Sequence, residues 1–182
     1  EKRYFAKVLW GGLLKSRKSA ALPGAKIYPP TLTNSDLANI KIAKEMGVTG
    51  VMQPFVRDHS DLERVKEVLR EAGAEDIRLF AKIENMDGVR KLEKLLPAAD
   101  EIVIARGDLG NAVHLWDLPG VQRQISEKCR AAGKPFMVVT QMLASMERSP
   151  VPTRAEVNDI FHAVMDGAAS IMVTGETAVG DY

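Results

Sequence analysis

Five apolar, β-branched runs alternate with amphipathic helical stretches, and this alternation most constrains how the chain can fold. When strands and helices alternate, the strands are expected to lie parallel, with their carboxyl ends at one edge of the sheet. Each run closes on polar residues: Gln53, Lys82-Ile83-Glu84-Asn85, Arg106-Gly107-Asp108, Thr140-Gln141 and Thr174-Gly175-Glu176. In a barrel of parallel strands the active site gathers at these carboxyl ends. We therefore expect the polar residues to form one shared site.

The hydrophobic pattern predicts strands over residues 48–56, 77–83, 101–105, 136–139 and 170–173. Helices are predicted after Thr33, with Gly47 at the carboxyl end, after Ser60, over 88–96, over 120–132 and after Thr153. Ser60 with Glu63, and Thr153 with Glu156, have the spacing of capping boxes. The predicted inward-facing helical positions are Leu37, Ile40, Ala43, Met46, Leu62, Val65, Val68, Leu69, Val89, Leu92, Leu95, Leu96, Val157, Ile160, Phe161 and Val164.

These elements predict an α/β fold, a partial TIM (β/α)8 barrel with a parallel sheet. A complete barrel needs roughly 250 residues, so five units fit part of one; an open doubly wound sheet is the alternative. Residues up to about Gly24 have short β-like runs over 4–10 and 13–14 and lack the later rhythm. Because residue 1 is Glu1 and Tyr182 directly follows Gly180-Asp181, we expect the chain to be a piece of something longer.

Composition fits an ordinary enzyme and excludes several other classes. The chain is 46% hydrophobic and 27% charged with a net charge of +1, so no basic field points to nucleic acid or a membrane surface. The lone Cys129 excludes a disulfide framework and favours a reducing compartment. No stretch resembles a membrane span or signal peptide. We expect a cytoplasmic protein.

The polar strand ends carry a recognisable set of chemical groups. Glu84 and Asp108 each follow an apolar run and could hold a hard divalent cation, leaving positions for substrate oxygens and water. Lys82 lies two residues before Glu84, so strand alternation places both side chains on one face. Gly107 and Gly110 allow close approach of the backbone to an anion at a helix start. A metal with a lysine suits phosphoryl transfer or enolate stabilisation.

Each motif also has a purely structural interpretation. Lys82 and Glu84 could form a structural salt bridge, and Thr153 with Glu156 could be only a helix cap. Asn85 could be only an N-cap. The basic residues Lys15, Arg17 and Lys18 are typical of a solvated loop, and His59, His114 and His162 lack metal-ligand spacing.

The joint occurrence of five motifs resembles the pyruvate kinase family in order and spacing, across nearly the whole chain. They are Lys82-Ile83-Glu84-Asn85, Ala105-Arg106-Gly107-Asp108-Leu109-Gly110, Thr140-Gln141-Met142-Leu143 with Ser145-Met146, Pro152-Thr153-Arg154-Ala155-Glu156, and Thr174-Gly175-Glu176-Thr177 with Gly180-Asp181-Tyr182. Leu22-Pro23-Gly24 also resembles the point where the lid domain of that family returns to the barrel.

The resemblance implies that residues 26–182 supply about the fourth to eighth strands of the catalytic barrel, and residues 1–25 a remnant of the lid domain. It implies transfer of phosphate from phosphoenolpyruvate to ADP, giving pyruvate and ATP in glycolysis. Glu84 and Asp108 would bind Mg²⁺ or Mn²⁺, and Lys82 would stabilise the phosphoryl group and the enolate. The K⁺ ligands of the family lie outside this chain, and the parent protein would be a homo-oligomer, a tetramer in the family.

By the same resemblance, the backbone at Gly107 and Asp108, with Thr140, would hold the substrate carboxylate. Glu176 would belong to a proton-relay network that leads to protonation of the enolate. Lys18 would correspond to a lid lysine near the nucleotide.

The sequence departs from the family at several positions: Pro54 stands in place of the usual serine, Ala112 and His114 replace an acidic residue and a proline, and Ser19 and Ala21 replace glycine and asparagine in the lid return. Because the first strands, full lid and C-terminal domain lie outside the chain, we expect these 182 residues alone to have little or no kinase activity. Two alternatives stay open: a magnesium-dependent lyase or aldolase acting on pyruvate-like substrates, and a catalytically silent relative.

Overall fold

The computed structural model describes residues 5–14, 16 and 28–182. Strands and helices alternate from residue 34 onwards. The strands are β1 (Gly50–Gln53), β2 (Arg78–Ile83), β3 (Glu101–Ala105), β4 (Phe136–Val139) and β5 (Ser170–Met172). The helices are α1 (Asn34–Ala43), α2 (His59–Glu71), α3 (Met86–Arg90), α4 (Leu92–Leu95), α5 (Arg106–Ala112), α6 (Leu118–Ala131), α7 (Arg154–Met165) and α8 (Gly175–Ala178), with a 3-10 helix over Ala144–Glu147.

The five strands form one parallel sheet in the order β1-β2-β3-β4-β5. Each strand pairs with the next one along the chain, as in a (β/α) barrel, whereas a doubly wound sheet reverses its strand order at a switch point. The sequential order therefore confirms the predicted barrel and removes the doubly wound alternative for the described residues. No helix within residues 28–182 or the other described segments is long and apolar enough to cross a membrane.

The two faces of the sheet have different neighbours. Alternate residues such as Leu79, Ala81 and Ile83 of β2 are buried against the helices. The other face carries a second apolar cluster built on Val103, Ala105 and Val139, with Phe80, Met137 and Met172 packed against it. Lys82 lies on this second face, between Phe80 and the strand end. The alternation thus directs the Lys82 side chain towards the barrel interior, as predicted.

Two of the three predicted N-terminal helix caps form, those at Thr153 and Asn85. Thr153 with Glu156 makes the predicted reciprocal capping box, and Thr33 with Asp36 makes a further one. Asn85 caps α3 by accepting from the Gly88 N–H at 2.9 Å. The capping box predicted for Ser60 and Glu63 is wrong, because α2 begins at His59.

The N-cap of α2 is Asp58, whose carboxylate accepts from the Ser60 N–H at 3.0 Å. Asp58 stands earlier in the chain and is a stronger acceptor than a serine hydroxyl. Glu63 lies one helical turn after His59, and its Oε1 is 3.3 Å from His59 Nε2.

Several side chains and segments differ from the prediction. Met46 is 70% exposed, because α1 ends at Ala43, before the predicted stripe is complete. On α7, Ala163 is buried and Ile160 packs against the core, whereas Val157, Phe161 and Val164 are exposed. Their stripe lies on the flank of α7, which no described element covers.

The predicted helix over 88–96 divides at Lys91 into α3 and α4, although its four predicted apolar positions are all buried. Residues 5–14 form no strand within the described part of the chain, so the β-like interpretation of that segment is wrong there. A strand requires a hydrogen-bonding neighbour, and the described residues supply none. Lys15, Arg17, Lys18, Ser19, Ala21 and the segment 22–24 lie outside the described residues.

Candidate active site at the carboxyl ends of the strands

An ion pair between a half-buried lysine and a buried carboxylate lies at the end of β2. Lys82 Nζ lies 2.8 Å from Glu84 Oε1, and the two side chains are 27% and 3% exposed. The second Glu84 oxygen accepts from the Phe55 N–H at 2.7 Å. Phe55 has a positive φ of 50°, which is uncommon for a residue with a side chain. The end of β1 is therefore bent so that its backbone donates to the carboxylate that follows β2.

Helix α5 follows β3 without a loop, because Arg106 opens the helix directly after Ala105. Gly107 and Asp108 lie in its first turn, where backbone N–H groups lack partners within the helix. The Asp108 side chain is exposed at this edge of the sheet. A Cβ on Gly107 would lie 3.2 Å from Thr140 Cγ2 and 3.5 Å from its hydroxyl oxygen. The glycine thus lets the Thr140 side chain approach the α5 backbone closely.

The segment after β4 has an unusual backbone. Thr140 and Gln141 both have positive φ values, 85° and 55°. Such conformations cost roughly 1–3 kcal/mol each for residues other than glycine and persist only where the surroundings hold them. One of the groups that hold this segment is Arg106, whose Nη2 donates to the Thr140 carbonyl at 2.7 Å.

Glu176 in the first turn of α8 joins the ends of β4 and β5. Its buried carboxylate accepts from the Leu143 N–H at 2.9 Å and the Thr174 N–H at 2.6 Å. Burial by itself raises the pKa of Glu176, but the hydrogen bonds from Leu143 and Thr174 outweigh it and leave the pKa below its ordinary value. Glu176 is therefore a carboxylate at neutral pH, held by backbone donors.

Glu156 joins the start of α7 to the segment after β4, a contact that was not predicted from the sequence. Besides capping α7, its carboxylate accepts from the Ser145 N–H at 2.7 Å and the Ser145 hydroxyl at 2.6 Å. The Ser145 donors, with the cap at Thr153, lower the pKa of Glu156 to about 2. The cap interpretation is confirmed, and the same carboxylate also fixes the segment that follows Gln141.

The structure brings the predicted residues together in three contacts. Lys82 meets Glu84, Thr140 meets Gly107, and Glu176 meets the segment that begins at Thr140. Asp108 lies on the neighbouring strand end, since Ile83 pairs with Ile104 in the sheet. The contacts of Arg106 with the Thr140 carbonyl and with Asp159 were missed, because these partners lie 34 and 53 residues from Arg106 in sequence. The position of Asp159 one turn after Glu156 on α7 was the available signal.

Glu84 and Asp108 are the side chains that could hold a divalent cation together with a ligand. No cluster of three or more histidine, cysteine, aspartate or glutamate side chains suited to a metal occurs among the described residues. Glu84 and Asp108 supply two carboxylates at adjacent strand ends, as befits an ion that takes its remaining oxygens from substrate and water. Such an ion would also give Glu84 a second cationic partner besides Lys82.

A parallel sheet in sequential strand order, with helices between the strands and polar side chains at their carboxyl ends, is typical of part of a (β/α) barrel enzyme. The family model described as pyruvate kinase, barrel domain, matches residues 1–182. The chain belongs to the pyruvate kinase family.

Three relatives, each named pyruvate kinase, show how far this similarity extends. The protein of Bacillus licheniformis is 42% identical over 176 residues, which are 97% of this chain and 30% of the relative. That of Geobacillus stearothermophilus is 42% identical over 175 residues, 96% of this chain and 30% of the relative. That of Dictyostelium discoideum is 42% identical over 169 residues, 93% of this chain and 33% of the relative. The chain therefore spans about a third of the length of these relatives.

Proposed function

We propose that the protein transfers the phosphoryl group of phosphoenolpyruvate to ADP, with this chain supplying part of the catalytic barrel. The observation that carries the proposal is the ion pair of half-buried Lys82 with buried Glu84 at the end of β2, in a chain that matches the pyruvate kinase barrel domain over residues 1–182. Phosphoryl transfer demands electrostatic stabilisation and positioning more than covalent chemistry. The substrates place the protein in glycolysis and hence in the cytoplasm.

In this proposal Lys82 is the cation that stabilises charge as the phosphorus–oxygen bond breaks. Among the described residues its ammonium group forms an ion pair with Glu84, and its side chain remains 27% exposed on the barrel interior, so N–H donors remain for a ligand. Glu84 and Asp108 would hold Mg²⁺ or Mn²⁺, which when bound supplies charge neutralisation for the phosphoryl group and carboxylate. Family membership also implies a monovalent K⁺ whose ligands lie outside this chain.

The substrate carboxylate would lie at the start of α5. In this proposal the N–H groups of Gly107 and Asp108, in the first turn of α5, donate to it, and the Thr140 side chain, which lies beside Gly107, supports it. Such donors fix the carboxylate relative to Lys82, which is the positioning that phosphoryl transfer needs. Because Glu176 is ionised and held by backbone N–H groups, we assign it the role of a fixed carboxylate within the proton-relay network.

Kinetics of the full-length gene product tests this function. With Mg²⁺, phosphoenolpyruvate and ADP, we expect pyruvate and ATP to form in equal amounts. Pyruvate formed from a larger acid without ADP would instead indicate a lyase, and no turnover of either kind would indicate a catalytically silent relative. The isolated 182 residues are expected to show little or no turnover in the same assay; robust turnover would contradict that expectation. A homo-oligomeric state, a tetramer in the family, and the nucleotide role of Lys18 remain part of the proposal.

A further inference from the structure

Thr140 has a backbone conformation that threonine rarely adopts. A β-branched residue with a φ of 85° is followed by Gln141 with a φ of 55°. Two consecutive positive values turn the chain sharply at the end of β4 and direct the Thr140 side chain onto Gly107. Since β-branched residues rarely adopt this region, contacts from elsewhere must stabilise it.

Arg106 makes the contact that acts on Thr140 itself. Glu176 and Glu156 fix Leu143 and Ser145, further along the segment. Within the described residues, Arg106 is the side chain that hydrogen-bonds to the Thr140 carbonyl, through Nη2 at 2.7 Å. Charged donors make the stronger kind of hydrogen bond, and the Arg106 side chain is only 13% exposed. Water therefore competes little with this contact.

Asp159 on α7 orients the Arg106 guanidinium. Nη1 of Arg106 lies 2.8 Å and 2.7 Å from the two Asp159 oxygens. Arg106 and Asp159 line a cavity of about 490 Å³ between α6 and α7, and both also line a second of about 360 Å³ beside Gly107. The guanidinium thus borders open space. Without Asp159 it could rotate away from the Thr140 carbonyl.

We propose that Arg106 and Asp159 are positioning residues that hold the Thr140 hydroxyl against Gly107, where the substrate carboxylate would bind. Neither residue needs to touch the substrate. The pair acts through one backbone carbonyl, so its effect on turnover is lost when the Thr140 hydroxyl is removed. This kinetic consequence rests on the proposed function, whereas the effect on the Thr140 backbone does not.

A double-mutant cycle in the full-length gene product tests the kinetic consequence. We expect Arg106→Lys to lower kcat/KM by about 10- to 100-fold, because a lysine lacks the planar guanidinium that bonds Asp159 with one nitrogen and the Thr140 carbonyl with the other. Asp159→Asn, which preserves side-chain shape, should lower it by about 10-fold. In a Thr140→Ala background, Arg106→Lys should add less than about a 2-fold loss. Independent, multiplying losses would overturn the proposal.

Arg123→Lys is the matched control. Arg123 pairs with Glu127 on the exposed surface of α6 at 2.9 Å, and its side chain is 71% exposed. The substitution should leave kcat/KM unchanged, since an exposed pair of this type contributes little.

Crystal structures of Arg106→Lys and Asp159→Asn test the backbone effect without any turnover. We expect Thr140 to leave the positive-φ region or its hydroxyl to move away from Gly107. Thr140 unmoved in these structures would overturn the proposal, whatever the kinetics. If Arg106→Lys does not fold, Asp159→Asn alone decides the question, because its side chain is 33% exposed and the substitution is isosteric. An inactive wild-type protein would contradict the proposed function and leave this structural result decisive.

Discussion

The amino and carboxyl ends of the sheet carry similar ion pairs in different surroundings. At the amino end, Arg78 Nη2 lies 3.0 Å from the buried carboxylate of Glu101, whose other oxygen accepts from the Ser170 hydroxyl at 3.1 Å. At the carboxyl end, Lys82 pairs with Glu84, and the other Glu84 oxygen accepts from the backbone at Phe55. In the first pair the second carboxylate oxygen is bonded by a side chain, whereas in the second pair it is bonded by the main chain at a residue with positive φ.

The backbone at the two ends differs in the same way. Positive φ values before the strands belong to glycines, which adopt them without strain: Gly47, Gly73, Gly133 and Gly167. After the strands, the residues with positive φ in the described part of the chain are Phe55, Thr140 and Gln141. Strained residues cluster at functional sites because the strain holds groups in position there. The comparison teaches that the backbone around an ion pair, rather than the pair itself, distinguishes the two ends of the sheet.

Equivalent substitutions of the two basic residues should give the largest difference in kcat between the two ends of the sheet. We expect Lys82→Met to lower kcat of the full-length gene product by at least about 100-fold, because it removes the cation that we propose stabilises the phosphoryl group. Arg78→Met should change kcat less than about 2-fold, since that residue lies at the opposite end of the sheet. Steady-state kinetics on both variants, with thermal unfolding to establish folding, makes the comparison. Similar losses of kcat in both would show that the two ends do not differ in function.

A methyl group at Gly107 should have a smaller effect. Gly107→Ala places a Cβ 3.2 Å from Thr140 Cγ2, so Thr140 must shift by a few tenths of an ångström. We expect kcat/KM to fall by about 10-fold. Gly120→Ala in α6 is the control, because nothing lies within 4 Å of its Cβ. That variant should retain activity and gain about 0.5–1 kcal/mol in stability; full activity of Gly107→Ala would show that Thr140 needs no close contact with α5.

The smallest effect is expected at Glu156 and depends on pH. Its folded-state pKa of about 2 lies below the ordinary value of 4.5, so ionised Glu156 stabilises the fold above pH 4.5. That contribution is lost as the pH falls from about 4.5 towards 2. Glu156→Gln should therefore lower Tm at pH 7, and the difference from wild type should shrink across this window. A difference in Tm that does not change with pH would contradict the assignment.

The sequence predicts much of the fold because local rules decide it. The apolar runs of β3 and β4 give their boundaries without error, and period-2 alternation correctly places Lys82 on the barrel interior. The outward position of Phe161 was not predictable, because a stripe of apolar residues does not reveal which neighbours a helix has. The helix break at Lys91 likewise leaves the burial of its neighbours unchanged and so leaves no mark in the hydrophobic pattern.

The contact between Lys82 and Glu84 was predicted from the sequence, whereas the contacts that hold the Thr140 segment were not. Lys82 and Glu84 are two residues apart, so strand geometry alone brings them together. Arg106, Asp159 and the Thr140 carbonyl meet only because α7 packs beside β5 and α5 follows β3. Such contacts depend on tertiary packing, and no spacing rule within one element encodes them.

Metal binding tests most directly the claim that the carboxyl end of the sheet is the functional end. Electron paramagnetic resonance titration of the full-length gene product with Mn²⁺ should detect an ion whose affinity falls at least about 10-fold in Glu84→Gln and in Asp108→Asn. Glu101→Gln, which removes the buried carboxylate of the amino end, should leave the Mn²⁺ affinity unchanged. Affinity that survives both carboxyl-end substitutions, or that falls with Glu101→Gln, would contradict the account.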